Sequence, residues 1–213
     1  MKIDYKPFEL DTLEVSNLID SIKSARFDTD SSKVVVVGIK FDLDTYKVPG
    51  VYKFIHRIIT DIFRDNEDCL DIIQQGDLYL GIFDAPQDAN IKEVIVTLGK
   101  LNAAFIVIQN QLKEYFDVTL IHTVVADFGI VYHSSDSIDG WHGYHADNVI
   151  HLCNKLLSKE YNRTVLITDS IKMTLRESFA ELFYKIVTVD GRDLHLSDVI
   201  NSSIRDRFKD YMK

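Results

Sequence analysis

Apolar residues recur along this chain with two different periods, which predict a domain that mixes strands and helices. Residues 34–41 form a continuous β-branched run, typical of a strand covered on both faces, and Asp42 follows it. After Pro49-Gly50, apolar residues return every three or four positions, which indicates a helix lying on a sheet. The same spacing over residues 91–112 predicts a long second helix.

Between these two helices, the runs "CLDIIQQ" and "LYLGIF" flank Gly76-Asp77 and predict a β-hairpin with that dipeptide at or near its tip. Turn chemistry alone explains the pair, because Gly supplies a positive φ angle and Asp bonds its own backbone. In a ferredoxin-like order of elements, however, the first strand lies beside this hairpin. We therefore expect Asp42, at the end of the first strand, to lie near Asp77.

The remaining pattern completes an α+β fold. It predicts one bent strand or two over residues 118–132, a helix over 148–159, a strand at "TVLIT", a short helix at "DSIKMTLRESF", a strand at "YKIVTV" and a C-terminal helix. Residues 12–24 predict an N-terminal helix, so we divide the chain into a helix and loop (1–32) and one domain (33–213). We expect a ferredoxin-like βαββαβ core, with a mixed, mainly antiparallel sheet and helices packed on it.

The acidic composition restricts the possible partners. The 213 residues carry a net charge of −9 without a basic patch, which argues against nucleic acid and anionic membranes. No apolar run is long enough to span a membrane, and the charged N-terminus does not resemble a signal peptide, so we expect a cytoplasmic protein. Cys69 and Cys153 lack metal-binding spacing, and we expect both to be buried thiols; we expect His122 to be a core histidine.

Two aspartates brought to one place need a cation, because carboxylates a few ångströms apart repel each other. Mg²⁺ or Mn²⁺ meets this need, since hard cations prefer oxygen ligands, and two such ions can hold a nucleoside triphosphate during phosphoryl displacement. A pair formed by Asp42 and Asp77 would thus let an acidic protein bind a polyphosphate. Alternatively, Asp42 bonds a loop amide and Asp77 is a plain turn residue.

Five segments resemble, in order, the motifs of class III nucleotide cyclases. "KFDLDTYK" and "GDLYLGIF" resemble the two metal motifs, with Asp42 and Asp77 at the metal aspartates; "VTLIHTVVADFGIVY", "VIHLCNKLLS" and "VLITDSIKMTL" resemble the segments that follow. The resemblance covers roughly residues 34–180. It implies cyclisation of a nucleoside triphosphate to a 3′,5′-cyclic monophosphate and pyrophosphate, with two Mn²⁺ or Mg²⁺ ions held by Asp42, Asp77 and the Leu43 carbonyl.

The resemblance also implies a head-to-tail homodimer with active sites at its interface, to which one helix of the partner contributes an Asn and an Arg. Our preferred register puts His151 at the Asn place and Lys155 at the Arg place, and we assign both as catalytic. A register three residues earlier puts Asn148 at the Asn place. We assign Asn148, Phe41 and Tyr46 to substrate binding; Tyr46 lies where the family has an aromatic residue near the nucleotide.

The base-reading positions depart from those of purine cyclases. Ile73 stands at the place of the family's Lys or Glu, and the loop "DGWHGYHAD" gives no clean second reader. A smaller base suits such a site, which fits a resemblance to the stand-alone bacterial pyrimidine cyclases of Pycsar antiphage defence. This resemblance implies a pyrimidine substrate, UTP ahead of CTP, and a cyclic UMP second messenger.

Two other functions remain as alternatives. The missing Arg and Asn favour a catalytically degenerate cyclase-like module for dimerisation or regulation, whereas the retained pair of aspartates argues against it. A diguanylate cyclase has a related palm-like sheet, but the chain contains no Gly-Gly-Asp/Glu-Glu-Phe run, so we do not favour it.

Overall fold

A computed structural model describes residues 30–43, 48, 50–85, 87–133, 144–158, 160–175, 180–181 and 183–196. The strands and helices, in chain order, are β1 (Asp30–Leu43), α1 (Val51–Arg64), β2 (Cys69–Gln75), β3 (Leu78–Asp84), α2 (Asp88–Phe116), β4 (Leu120–His133), α3 (Tyr144–Leu156), β5 (Thr164–Thr168), α4 (Asp169–Thr174), β6 (Tyr184–Val189) and β7 (Arg192–Leu196). The predicted N-terminal and C-terminal helices and Tyr46 lie outside the described residues, and the division at residue 32 stays a prediction.

Seven strands form one sheet in the order β2-β3-β1-β4-β5-β7-β6. The first four have the ferredoxin-like arrangement, in which β1 lies beside the hairpin strand β3 and pairs with it in antiparallel fashion. β4 and β5 pair in parallel, whereas β5 with β7 and β6 with β7 are antiparallel. The predicted fold class is therefore confirmed, including the mixed, mainly antiparallel sheet.

The alternation of side chains along β1 divides the core into two clusters. Residues Val35, Val37 and Ile39 face the larger cluster, to which α1, α2 and α4 all contribute. Val34 and Val36 face the smaller cluster, which is closed by apolar residues of α3. This double burial explains why residues 34–39 read as a continuous apolar run rather than an alternating one.

Several local predictions need correction. Of the C-terminal strand pair, only β6 was predicted. The segment "RDLHL" forms the second strand, β7, after a turn at Asp190-Gly191, where both residues have positive φ angles. Residues 120–133 form one strand, and α3 begins and ends earlier than predicted. Cys153 is buried, with its pKa raised to about 12 by burial, but Cys69 is only half-buried. None of the described helices combines the length and apolarity needed to cross a membrane.

His122 is a core histidine, as expected. It is fully buried on β4, where its Nε2 lies 2.8 Å from Oδ1 of Asn102 and its ring lies 5.0 Å from that of Phe105. Burial lowers the pKa of His122 from 6.5 to about 3, and the nearby Arg163 charge adds to the effect. The imidazole is therefore neutral at physiological pH and serves packing rather than ion binding.

Candidate active site

The end of β1 meets the turn between β2 and β3 at a polar corner, which we call the acidic corner (Lys40, Asp42 and Asp77). Lys40 stands opposite Leu78 in the strand pairing, and the Phe41 N–H donates a hydrogen bond to the Asp77 carbonyl at 3.3 Å. Asp42 is the next residue of β1. The structure thus brings the two aspartates of the predicted pair to adjoining positions, as the ferredoxin-like topology implied.

Both carboxylates of the acidic corner act on one hydroxyl group. Tyr52, near the start of α1, has its pKa raised first by burial and then by the charges of Asp77 and Asp42. Both carboxylates therefore lie within electrostatic range of the Tyr52 hydroxyl. Asp42 is exposed and Asp77 is half-exposed, so water and solutes reach both side chains.

Lys40 is a member of this corner that sequence reasoning missed. Its Nζ lies 3.7 Å from Asp77 Oδ1 and also donates a hydrogen bond to Oδ1 of Asn154 on α3. Lys40 precedes Asp42 by two positions on a strand, and such residues share a face, which is the signal that could have found it. Lys40 therefore supplies part of the positive charge that two neighbouring carboxylates require.

The donors at the acidic corner fit a hard divalent cation. The carboxylates of Asp42 and Asp77 and the carbonyl oxygen of Leu43 are the oxygen ligands that Mg²⁺ and Mn²⁺ prefer. Within the described part of the chain, no three His, Cys, Asp or Glu side chains cluster as a metal site. An ion held here would therefore need water and substrate oxygens as well, which is how Mg²⁺ is usually bound in nucleotide sites.

The Phe41 side chain lies in the core rather than against a substrate. It is fully buried, and its ring contacts the rings of Tyr52, Tyr79 and Phe105 at centroid distances of 5.5, 6.3 and 5.5 Å. This finding corrects the assignment of the side chain to substrate binding. The strand alternation that points Lys40 and Asp42 to one face turns Phe41 toward the opposite one.

The predicted catalytic residues of α3 meet a carboxylate on the turn between β6 and β7. Lys155 Nζ donates hydrogen bonds to both carboxylate oxygens of Asp190, at 2.7 and 2.6 Å, and His151 Nε2 lies 2.5 Å from the second oxygen. These hydrogen bonds lower the pKa of Asp190. His151 and Lys155 lie together because residues four apart share a helix face. Sequence reasoning had assigned no role to Asp190.

Asn148, one helical turn before His151, lines a cleft of about 370 Å³. Its walls also include Asp127 and Phe128 of β4, the start of α4, and Gly191 and Arg192 at the β6–β7 turn. Such a volume suits one small molecule or part of one. The cleft adjoins the cluster formed by His151, Lys155 and Asp190, because Asn148 and Gly191 are close neighbours of those residues in the chain.

A buried carboxylate forms the floor of this cleft. Asp127 is only 4% exposed, and its Oδ1 accepts hydrogen bonds from the Thr168 hydroxyl at 2.6 Å, the Ser170 hydroxyl at 2.5 Å and the Phe128 N–H at 2.9 Å. Its Oδ2 lies 3.6 Å from Nη1 of Arg192. The hydrogen bonds and the guanidinium charge together offset the cost of burying this charge.

Known proteins resemble this chain in fold but not closely in sequence. No family model and no curated protein matches it. The adenylyl cyclase CyaB from P. aeruginosa matches with a TM-score of 0.60 at 12% identity, over 80% of this chain and 96% of that one. This chain has the class III nucleotide cyclase fold.

Two further solved structures agree with that assignment of the fold. A bacterial light-regulated adenylyl cyclase matches with a TM-score of 0.61 at 12% identity, over 90% of this chain and 63% of that one. The guanylyl cyclase Cya2 matches with a TM-score of 0.53 at 13% identity, over 79% and 92% of the two chains. Identities this low establish the fold alone, so the function must be argued from the residues of the site.

Proposed function

We propose that this protein is a nucleotide cyclase, which converts a nucleoside triphosphate to a 3′,5′-cyclic monophosphate and pyrophosphate. The observation that carries the proposal is the acidic corner, where Asp42 and Asp77 lie at adjoining positions on a fold that known adenylyl and guanylyl cyclases share. Both carboxylates are open to solvent, and a simple structural role does not require two like charges at one place.

Asp42, Asp77 and the Leu43 carbonyl would hold two Mn²⁺ or Mg²⁺ ions, which when bound lower the pKa of the ribose 3′-hydroxyl and neutralise the triphosphate. The two aspartates fix the position of the reacting phosphate relative to the ribose. Lys155 and His151 bind the phosphate oxygens, and Lys155 stabilises the charge that develops on the departing pyrophosphate. Lys155 acts as a point charge, because an ammonium group cannot contact two oxygens in the forked manner of Arg.

The proposal includes a homodimer in which the acidic corner of one protomer faces Lys155 and His151 of the other. Lys155 and His151 are each about half-exposed, with side-chain exposures of 45% and 53%, so a second protomer's substrate can reach them. The shared site requires two chains. A protein that stays monomeric at micromolar concentration therefore contradicts the mechanism.

We further propose a pyrimidine substrate, UTP ahead of CTP, and a role in bacterial antiphage defence. Ile73 stands where purine cyclases have a base reader, and its side chain packs against the smaller core cluster, closed by α3. An apolar side chain offers no hydrogen bond to a base edge, so this position lacks the polar reader by which purine cyclases select their base. The absence of that reader at Ile73 supports the preference for a pyrimidine.

A second candidate function is a catalytically degenerate module for dimerisation or regulation. The observation that favours it is the pairing of Lys155 and His151 with Asp190, which engages both proposed substrate-binding side chains within the chain. The acidic corner argues for catalysis, and the pairing of Lys155 and His151 with Asp190 argues against it. An assay of turnover separates the two.

The test is to incubate the purified protein with each of the four nucleoside triphosphates and Mn²⁺ and to identify products by mass spectrometry. We expect cyclic UMP, with less cyclic CMP, and a loss of at least about 100-fold in Asp77→Ala, because the variant removes a ligand of the charged reaction centre. Asp84→Ala, at the far end of β3, is the matched control and should retain activity. No product from any triphosphate by an intact dimer would support the degenerate module.

A further inference from the structure

The turn between β6 and β7 presents a carboxylate to Lys155 and His151 of α3. Asp190 and Gly191 have φ angles of 50° and 78°, the paired positive values of a tight hairpin turn, so the position of Asp190 is fixed by the backbone. From there its two oxygens receive Lys155 Nζ at 2.7 and 2.6 Å and lie against His151 Nε2. The single carboxylate of Asp190 thus pairs with both Lys155 and His151.

The neighbouring cation of this region is paired in the same way. Arg192, two residues after Asp190, lies 3.6 Å from the buried carboxylate of Asp127. The proposed phosphate-binding side chains, Lys155 and His151, and the adjoining Arg192 therefore each have an internal anionic partner. The difference is burial: Asp127 is buried, with a side-chain exposure of 6%, whereas Asp190 has an exposure of 51%. A half-exposed ion pair is weak and breaks easily, so only the Asp190 pairs are readily exchanged for another anion.

We propose that Asp190 determines the affinity of this site for polyphosphate, as a built-in anion that the substrate's phosphate chain must displace from Lys155 and His151. This inference rests on the proposed function for its natural ligand. The two carboxylate oxygens of Asp190 accept hydrogen bonds from the Lys155 ammonium and the His151 imidazole. A pair of phosphate oxygens would use the same two donors. While Asp190 holds these groups, the local charge available to a triphosphate is reduced by one unit.

Replacing Asp190 by Asn tests the inference directly, because the amide keeps the size of the side chain and removes its charge. The probe is inorganic tripolyphosphate, titrated calorimetrically into the whole protein with a chelator present, so that neither metal nor base contributes. We expect Asp190→Asn to bind tripolyphosphate about three- to tenfold more tightly than the wild type, as expected for one exposed unit charge. Its affinity should also fall more steeply with added salt.

Asp193→Asn is the matched control. Asp193 lies three residues further on, is paired with Lys185 at 2.7 Å and with the Thr188 hydroxyl at 2.6 Å, and its substitution removes the same charge from the same hairpin. It should leave tripolyphosphate affinity within about twofold of the wild type, as a screened charge would. In Asp190→Asn combined with Lys155→Gln, the gain should disappear, because the freed ammonium is its source.

The inference is overturned by equal gains in Asp190→Asn and Asp193→Asn, by an Asp190→Asn affinity equal to or weaker than that of the wild type, or by no measurable binding by Asp190→Asn at millimolar tripolyphosphate. Cyclic product is measured separately on the same proteins. A gain in tripolyphosphate affinity without product from any nucleoside triphosphate supports the role of Asp190 and rejects the proposed function. Cyclic product without a gain in tripolyphosphate affinity supports the proposed function and rejects the role of Asp190.

Discussion

The two faces of the sheet differ in how far helices cover them. Helices α1, α2 and α4 cover one face, and its core follows alternate residues of β1 as far as Leu43. The opposite face is covered by α3, whose apolar residues close over Val34 and Val36. Further along β1 the same alternation continues with Lys40, which bonds Asn154, and with Asp42, which is exposed.

This difference shows that a single strand can supply both core and site. Charges are costly to bury, so Lys40 and Asp42 can stand on β1 only beyond the apolar cover that α3 provides. The position of α3 therefore decides where the core ends and the polar corner begins. Three changes test this comparison, in order of decreasing effect on stability.

The largest effect is expected at Gly38, where side chains of α3 pack against β1. A Cβ atom there would meet Val149 Cγ1 at 2.5 Å and Cys153 Sγ at 2.6 Å, and both residues are fully buried. We expect Gly38→Ala to reduce the free energy of unfolding by about 2 kcal/mol, because overpacking forces helix and strand apart. Urea unfolding measures this change.

The control for Gly38→Ala is a double-mutant cycle with Cys153→Ala, which removes one of the two overlaps. The double variant should lose less stability than the two single losses added together. Additive losses, or a Gly38→Ala variant as stable as the wild type, would show that α3 does not lie this close to the strand.

A smaller effect on stability is expected from a change of pH, which acts through His122, a residue buried on the face covered by α2. Its folded-state pKa of about 3 lies below the ordinary 6.5, so the unfolded chain takes up a proton first and stability falls as pH decreases below 6.5. Between about pH 7.5 and about pH 5.5 this one group should cost about 1.4 kcal/mol of the free energy of unfolding. Urea unfolding at both pH values provides the measurement.

Substitution shows which histidine is responsible for the pH effect. His122→Asn should flatten the pH dependence, because it removes the buried imidazole that takes up a proton on unfolding. An equal pH dependence in the wild type and His122→Asn would mean that other groups control stability in this range.

The sequence predicted the elements whose signals are local. The strand, helix and hairpin from residue 34 to residue 84 follow from apolar periodicity and from Gly76, whose φ of 62° needs no tertiary information. β7 escaped prediction because "RDLHL" is short and charged, and it becomes a strand by pairing with β5 and β6. Its strand character depends on the neighbouring strands rather than on the segment itself.

The candidate site was predictable only in part, for the same reason. Strand order brought Asp42 and Asp77 together, and helical spacing brought His151 and Lys155 together. Asp190 is 35 residues from Lys155 in the chain, and the 3.7 Å approach of Lys40 to Asp77 depends on a hairpin register. Contacts of this kind follow from tertiary structure, which no local pattern encodes.

The smallest effect on stability is expected from substitution of Asp77, which lies beyond the apolar cover that α3 provides. Its side chain is 37% exposed and its ion partner Lys40 lies 3.7 Å away, so the pair contributes little to folding. With a chelator present, we expect Asp77→Asn to change the free energy of unfolding by less than about 0.5 kcal/mol. Asp84→Asn is the control under the same urea conditions, and a loss above about 2 kcal/mol in Asp77→Asn alone would give Asp77 a structural role.

The most direct test of the acidic corner is Mn²⁺ binding to the wild type, Asp42→Asn, Asp77→Asn and Asp84→Asn, measured by titration calorimetry. If Asp42 and Asp77 hold the ions jointly, the wild type and Asp84→Asn will bind Mn²⁺ equally, and each of the other two variants will bind at least about tenfold more weakly, since each lacks a charged oxygen ligand. Equal Mn²⁺ affinity in all four proteins would contradict a metal site at this corner.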